Sequence, residues 1–218
     1  SLPIMKSVDF AEFYGIMLGG GCIYSNLNGF CITGNSILDE AYHKEYINRL
    51  IFSLFKIKPW LYYSKQSNTI RCGLYSRKIT QFLNKQGFPI GRKKLGKIRI
   101  PVFIEKYNKL LAACIRGIND TDGTLCAHPH SKIMIQISIT IPELLNFCSK
   151  SLKKLGIKCG AYNKGINIYG IEKVKNFFKI IGSSNPKHIL KYKIFLKEGR
   201  VLSSQDTESF LRETKYTK

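Results

Sequence analysis

From Lys132 to Ile141 every odd-numbered position is isoleucine, and the positions between are mostly polar: Lys132, Gln136, Ser138 and Thr140. A period of two buries one face of a strand and turns the other outward, so this run predicts a half-buried strand with a hydrogen-bonding outer face. Thr69, Arg71 and Tyr75 alternate with Ile70, Cys72 and Leu74 in the same way. Asn26-Leu27-Asn28-Gly29 predicts the turn of an earlier hairpin whose strands are Cys22 onward and Phe30 to Thr33. Leu38, Tyr42, Tyr46, Leu50 and Leu54 fall every four residues, which predicts a helix capped by Asn35 or Ser36 and running to about Phe55. A hairpin from Trp60 to Tyr75 turning near Gln66-Ser67-Asn68 follows, then a short helix from Arg77 to Gln86 that stops at Gly87.

The same order recurs further along. Thr124 to Ile141 predicts strand, turn and strand. Pro142 to Leu155 predicts a helix, and Lys158 to Tyr169 a hairpin turning at Asn163-Lys164-Gly165. Ile171 to Ile181 predicts a last helix stopping at Gly182. Each series is headed by a short apolar stretch rich in small residues, Gly15-Ile16-Met17-Leu18-Gly19-Gly20-Gly21 and Gly117-Ile118-Asn119-Asp120-Thr121-Asp122-Gly123. An internal repeat on this scale predicts an α+β chain built as a pseudo-twofold duplication. Residues 8–88 and 110–198 form its halves, 89–109 a basic linker, and 199–218 a peripheral tail.

Charge narrows the class of partner. The 218 residues carry 35 Lys and Arg against 14 Asp and Glu, a net charge of +21, and no acid occurs between Tyr46 and Ile104. A field of that size and extent calls for a polyanion, and the interleaving of basic residues with strand patterns favours nucleic acid over a membrane surface. Lys93 and Lys94 are expected to anchor phosphates without reading sequence. No run has the apolar length of a membrane span, and the start lacks the pattern of a signal peptide, so an intracellular location is expected. Seven scattered cysteines without a Cys-x-x-Cys pair suit buried thiols. The aromatic residues lack the pattern of an RNA-recognition sheet and are expected mostly in the core. Cys126-Ala127-His128-Pro129-His130 carries metal-ligand types, but its proline predicts a hairpin tip.

Polar-faced hairpins suit a DNA major groove, which admits a two-stranded ribbon. Candidate contacts are Tyr24, Asn26, Asn28, Thr33, Lys65, Arg71 and Tyr75 in the first half, and His128, His130, Lys132, Gln136, Ser138, Thr140, Asn163, Lys164 and Asn167 in the second. Strands of about ten residues at about 3.3 Å each give about 33 Å per half. At about 3.4 Å per base pair the two halves cover roughly twenty base pairs of duplex. Gly15 with Gly19, and Gly117 with Thr121, place small residues four apart, which lets two helices approach backbone to backbone. Just past that contact, the second copy has Asp122 where the first has Gly20. Two carboxylates at such helix ends would hold divalent ions for phosphodiester hydrolysis; this chain has one.

On these two motifs and the elements after them, the chain resembles the LAGLIDADG homing endonucleases of the monomeric, two-motif kind, from about Phe10 to Lys197. Ile181-Gly182-Ser183-Ser184-Asn185-Pro186-Lys187-His188 is similar to a phrase common near the end of such domains. The resemblance implies two αββαββα half-domains whose sheets form a DNA-binding saddle. It also implies an intron- or intein-encoded nuclease acting as a monomer with Mg²⁺ or Mn²⁺, while Ca²⁺ binds without supporting cleavage. It makes Asp122 the metal-binding acid and Gly20 the position of a missing one, with Lys97 and Arg71 as candidate catalytic support. Asp120, two residues earlier, is expected to cap or support the interface. With Gly20 in place, cleavage is expected to be severely impaired. The alternative is a non-catalytic nucleic-acid-binding protein on the same scaffold, an RNA maturase or a DNA-binding regulator.

Overall fold

A computed structural model describes residues 2–93 and 97–216; Lys94 lies outside the described residues. Two long helices form the spine, α1 (Val8–Gly20) and α5 (Asn108–Asp122), each ended by a glycine in extended conformation, Gly21 and Gly123. After α1 come β1 (Gly21–Ile23), β2 (Gly29–Asn35), a π-helical turn (Tyr42–Ile47) running into α2 (Asn48–Phe55), β3 (Trp60–Ser64), β4 (Thr69–Tyr75) and α3 (Arg77–Lys85). A short α4 (Val102–Lys106) precedes α5. The second series is β5 (Gly123–His128), β6 (Lys132–Ser138), α6 (Pro142–Lys154), β7 (Gly160–Tyr162), β8 (Gly165–Tyr169) and α7 (Ile171–Ile180). The chain closes with α8 (Pro186–Glu198) and α9 (Ser204–Tyr216).

The two antiparallel sheets have the same order, β1-β2-β4-β3 and β5-β6-β8-β7. Their registers match as well: Gly21 pairs with Ile32 and Gly123 with Ile137, each the residue just past a spine helix. Small residues bring the helices together. A side chain on Gly15 would run into the Cys114 carbonyl, one on Gly117 into the Glu12 carbonyl, and one on Gly19 into the Thr121 hydroxyl. Around this contact Phe10, Phe13, Tyr14, Ile16, Met17 and Leu18 are wholly buried, so past its exposed Asp9 α1 is apolar all round except for Glu12, because it is covered on all sides there.

The isoleucine alternation holds: Ile133, Ile135, Ile137 and Ile139 are buried. The strand is shorter than its pattern, ending at Ser138 opposite Gly165, where its partner β8 begins; past it the Ile139 amide still donates to the Lys164 carbonyl at 3.0 Å. The helix expected from Asn35 or Ser36 starts later, since 36–39 is a turn. Asn35 nevertheless makes the bonds expected of a cap: its Oδ1 accepts from the amides of Ile37 and Leu38 at 2.9 Å, Asp39 Oδ2 accepts from the Asn35 amide at 3.0 Å, and the Asp39 amide donates to the Asn35 carbonyl at 3.0 Å. All seven cysteines are free; Cys31, Cys72, Cys114 and Cys148 are buried and Cys22, Cys126 and Cys159 half-buried. After Gly199, Leu202 and Thr207 are buried. Among the described residues no helix is long and apolar enough to cross a membrane.

Candidate nucleic-acid interface and central cleft

Where α1 and α5 end side by side, a cleft of about 370 Å³ is walled by Leu18, Gly19, Arg92, Lys93, Asp122, Ser138, Ile139, Thr140, Ile141 and Leu144. The helix ends meet closely: a Cβ on Gly19 would lie 3.3 Å from the Asp122 carboxyl carbon. Gly20 sits beside Thr33, whose carbonyl is 3.0 Å from where its Cβ would be. The motif positions are therefore brought together, and Asp122 is the one acid among the described residues of this wall. Burial pushes its carboxyl up to about 6, with the Lys93 charge acting in the opposite direction.

Lys93 corrects an expectation. It is no surface anchor: its ammonium donates to the Leu18 carbonyl at 2.6 Å, to the Gly19 carbonyl, and at 3.4 Å to that of Met17. The Met17 carbonyl also accepts from the Gly21 amide, whereas those of Leu18 and Gly19 are among the last carbonyls that a helix end leaves over, at the negative pole of its dipole. Burial lowers the Lys93 pKa, which Asp122 and Cys22 counter. Nothing local in Arg92-Lys93 points to α1. The parallel bridge Ile23–Ile90 and the bond from the Gly91 amide to the Ile23 carbonyl at 2.9 Å carry the linker there. With one carboxylate and an ammonium on the α1 carbonyls, these residues do not fit a pair of divalent ions. Of the candidate supporting residues, Arg71 is exposed on β4 and Lys97 is exposed ahead of α4; neither is part of the cleft wall.

The outer sheet faces hold most of the expected contacts, and they differ. On the second sheet Thr124, Gln136 and Asn167 lie in one row and Ser138 opposite Gly165 in another. Gln136 Nε2 donates to the Tyr162 hydroxyl at 2.7 Å and Asn167 Nδ2 to that of Tyr169 at 2.5 Å. Lys132 is exposed at the strand start. His130 and His128 lie at the β5–β6 tip, His128 Nδ1 being 2.9 Å from Ser131 Oγ. Asn163 and Lys164 are exposed at the next tip, while Thr140 lies past β6 in the cleft. On the first sheet Thr33 pairs with Arg71 and Arg71 with Tyr62. Trp60 stacks on Tyr75 with centroids 5.6 Å apart, and Tyr24 lies 6.3 Å from Tyr75. Gly73, opposite Trp60, leaves room for the indole. Tyr62, Tyr63, Tyr75, Tyr162 and Tyr169 are exposed, so the strand tyrosines are not core. Lys65 is exposed near the β3–β4 turn. Asn26 and Asn28 are exposed at the first turn, where Arg77 donates to Asn28 Oδ1 at 3.0 Å.

Behind the cleft a buried polar network joins the halves. Glu12 of α1 pairs with Arg116 of α5 and accepts from Ser184 Oγ at 2.5 Å. Asp120 accepts from Ser183 Oγ at 2.5 Å and from the amides of Ser184 and Asn185 at 2.6 and 3.2 Å. It thus holds the entry to α8. Asn185 Nδ2 bridges Asp39 and the Asp120 carbonyl, and Lys187 pairs with Asp39 at 2.7 Å. Burial would push the Asp39 carboxyl up, but Lys187, Asn185 and the Asn35 amide together hold it below the usual range.

Two such repeats meeting through glycine-bearing helices define the two-domain LAGLIDADG fold, and comparison with solved structures agrees. Variants of the homing endonuclease I-DmoI are similar at a TM-score of 0.56 and 15% identity, over 83% of this chain and 97% of that one. I-DmoI in complex with DNA and Mn gives 0.56 and 15%, over 83% and 99%. Full-length DUF199/WhiA from Thermatoga maritima gives 0.54 and 16%, over 100% of this chain and 69% of that one. No family model and no curated protein sequence matches the chain.

Proposed function

We propose that this chain is a sequence-specific, double-stranded-DNA-binding protein on the LAGLIDADG scaffold, a relative of the homing endonucleases whose cleavage centre is incomplete. The observation that carries this is the meeting of the two helix ends, where Asp122 lies against Gly19, and Gly20, the next residue, brings no second acid. In the two-acid arrangement both halves would contribute a carboxylate for the ions that activate water and stabilise the leaving oxygen. Here one half contributes none. The chain's own residues therefore bind and orient: exposed lysines track phosphates, and Gln136, Asn167 and Arg71 present donors at the depth of base edges. In its support, the neighbouring I-DmoI structure holds DNA, and the net charge of +21 suits a polyphosphate.

A second reading is favoured by the aromatic paving of the first sheet. Trp60, Tyr62, Tyr75 and Tyr24 around Arg71 would stack unpaired bases of single-stranded DNA or RNA. Fluorescence anisotropy against a duplex pool, single-stranded DNA and RNA, from about 50 to 300 mM salt, separates the two. Tighter duplex binding with a steep fall in log K against log salt is expected, with plasmid DNA left uncut in Mg²⁺ or Mn²⁺. A flat salt plot, or a preference for single strands, contradicts the proposal.

A further inference from the structure

The carboxyl end of α1 presents the carbonyls of Met17, Leu18 and Gly19, and the ammonium of the half-buried Lys93 takes all three. An ammonium has three donors and no acceptor, so this contact uses its whole hydrogen-bonding capacity. A unit positive charge at the negative pole of a helix is also the electrostatic duty that a bound cation would otherwise perform. The carboxyl end of α5 closes with the same cap, the Gly123 amide donating to the Asn119 carbonyl as the Gly21 amide does to that of Met17, but it carries Asp122 within the same cleft and no lysine on its carbonyls is seen among the described residues. Arg92 is exposed on the same wall, so two cations face one carboxylate. Such a cleft attracts a phosphate diester directly, without a metal as intermediary, and repels a further cation.

We propose that Lys93 is the resident cation of this centre, holding the α1 end in place of a divalent ion and keeping metal out of the N-terminal half. The proposal rests on the reading of the paired helix ends as the centre of the scaffold. It makes a specific claim about Gly20. Restoring the carboxylate alone would not restore a second ion site, because the new acid would find an ammonium already beside it. A side chain is admissible there: a Cβ on Gly20 would be 3.0 Å from the Thr33 carbonyl and 3.4 Å from Thr121 Cγ2, which a shift of a few tenths of an ångström relieves.

The test is Mn²⁺ binding to the full chain without DNA, followed by electron paramagnetic resonance of the free ion, so that loss of DNA binding and loss of this inference are separate results. Thermal unfolding is run on every variant. Lys93→Gln keeps an amide donor for the α1 carbonyls but removes the charge, and should tighten Mn²⁺ binding by about threefold or more. Gly20→Asp by itself should change it by less than about twofold, whereas Gly20→Asp with Lys93→Gln should tighten it by about tenfold or more, the equivalent of about 1.4 kcal/mol. Asp122→Asn in that double background should abolish the gain, which places the ion at the centre. The inference is overturned if Gly20→Asp alone binds Mn²⁺ as tightly as the double variant, or if a folded Lys93→Gln variant binds it no better than the parent chain.

Discussion

The two halves share strand order and register, yet they have diverged at the two places where chemistry would occur. The C-terminal half keeps an acid at its helix end and a sheet of hydrogen-bonding side chains: Gln136, Ser138, Asn167 and Thr124. The N-terminal half has Gly20 and a lysine at its helix end, and its sheet is paved by Trp60, Tyr62 and Tyr75 around Arg71. What they could not lose is what both need to meet: Gly15, Gly19, Gly117 and Thr121, where the backbones touch. A duplication thus separates two kinds of constraint. Packing positions bind both copies equally, whereas a site residue can leave one copy provided the exposed helix end is satisfied by something else.

That separation is sharpest in stability. Gly15→Val and Gly117→Val drive a branched side chain into opposing backbone, which cannot yield as a flexible side chain could. Each is expected to cost about 4 kcal/mol or more in denaturant unfolding. Gly20→Ala, one residue past the contact, should stay within about 1 kcal/mol of the parent, since the helix propensity gained offsets the small shift at Thr33. Equal losses at Gly15 and Gly20 would erase the distinction between packing and site glycines.

Next in size is the join behind the cleft. Arg116→Met leaves Glu12, 2% exposed, without its charged partner, and should cost about 3 kcal/mol by the same measurement, because a buried carboxylate stripped of its pair is poorly solvated. A loss under about 0.5 kcal/mol would place the pair among surface bridges, which contribute little.

The sheets give the third comparison. Gln136→Ala and Asn167→Ala should each relax preference at particular base pairs by about 1–3 kcal/mol in competition binding. Tyr62→Ala should leave duplex preference unchanged and lower single-strand binding by about 1 kcal/mol or more. Uniform weakening from all three would mean that the base-reading surface lies elsewhere.

The smallest effect concerns the Asp39–Lys187 link between the halves. Its depressed carboxyl contributes stability that is present above the ordinary value of 3.8 and lost as pH falls through the folded value. Asp39→Asn should therefore cost about 1 kcal/mol at pH 7, with the gap from the parent closing below about pH 3.8. A gap that persists at pH 3 would assign the loss to the hydrogen bonds and not to the charge.

Much of this architecture is legible in the residues because it is local. The isoleucine alternation of β6, the turn at Asn163-Lys164-Gly165 and the glycine stops at Gly87 and Gly182 all depend on neighbours within a few positions, and the small-residue spacing located the helix contact. The parts that were not legible depend on distant partners. Lys93 reads as one more lysine in a basic run until the Ile23–Ile90 bridge carries it to α1, and Glu12 meets Arg116 and Ser184 only once both halves are assembled. The cap at Asn35 is legible, but the extra turn over 36–39 before the helix is not, since the four-residue spacing fits a turn and a helix alike. Tyr75 is legible as outward-facing from its alternation, whereas the exposed Tyr62, Tyr63 and Tyr162 are not, because the short runs Trp60–Ser64 and Gly160–Tyr162 carry no clear apolar–polar alternation.

Selection from randomised duplexes, carried out with the full chain in Mg²⁺ and sequenced with a footprint of the winners, tests the central claim most directly. The recovered DNA is expected to be uncut and to share one site of roughly twenty base pairs. Most of its sequence information should lie in the half covered by the β5-β6-β8-β7 sheet, which carries the hydrogen-bonding side chains. A pool with no shared sequence, a footprint under about ten base pairs, or winners recovered cleaved at the centre would contradict it.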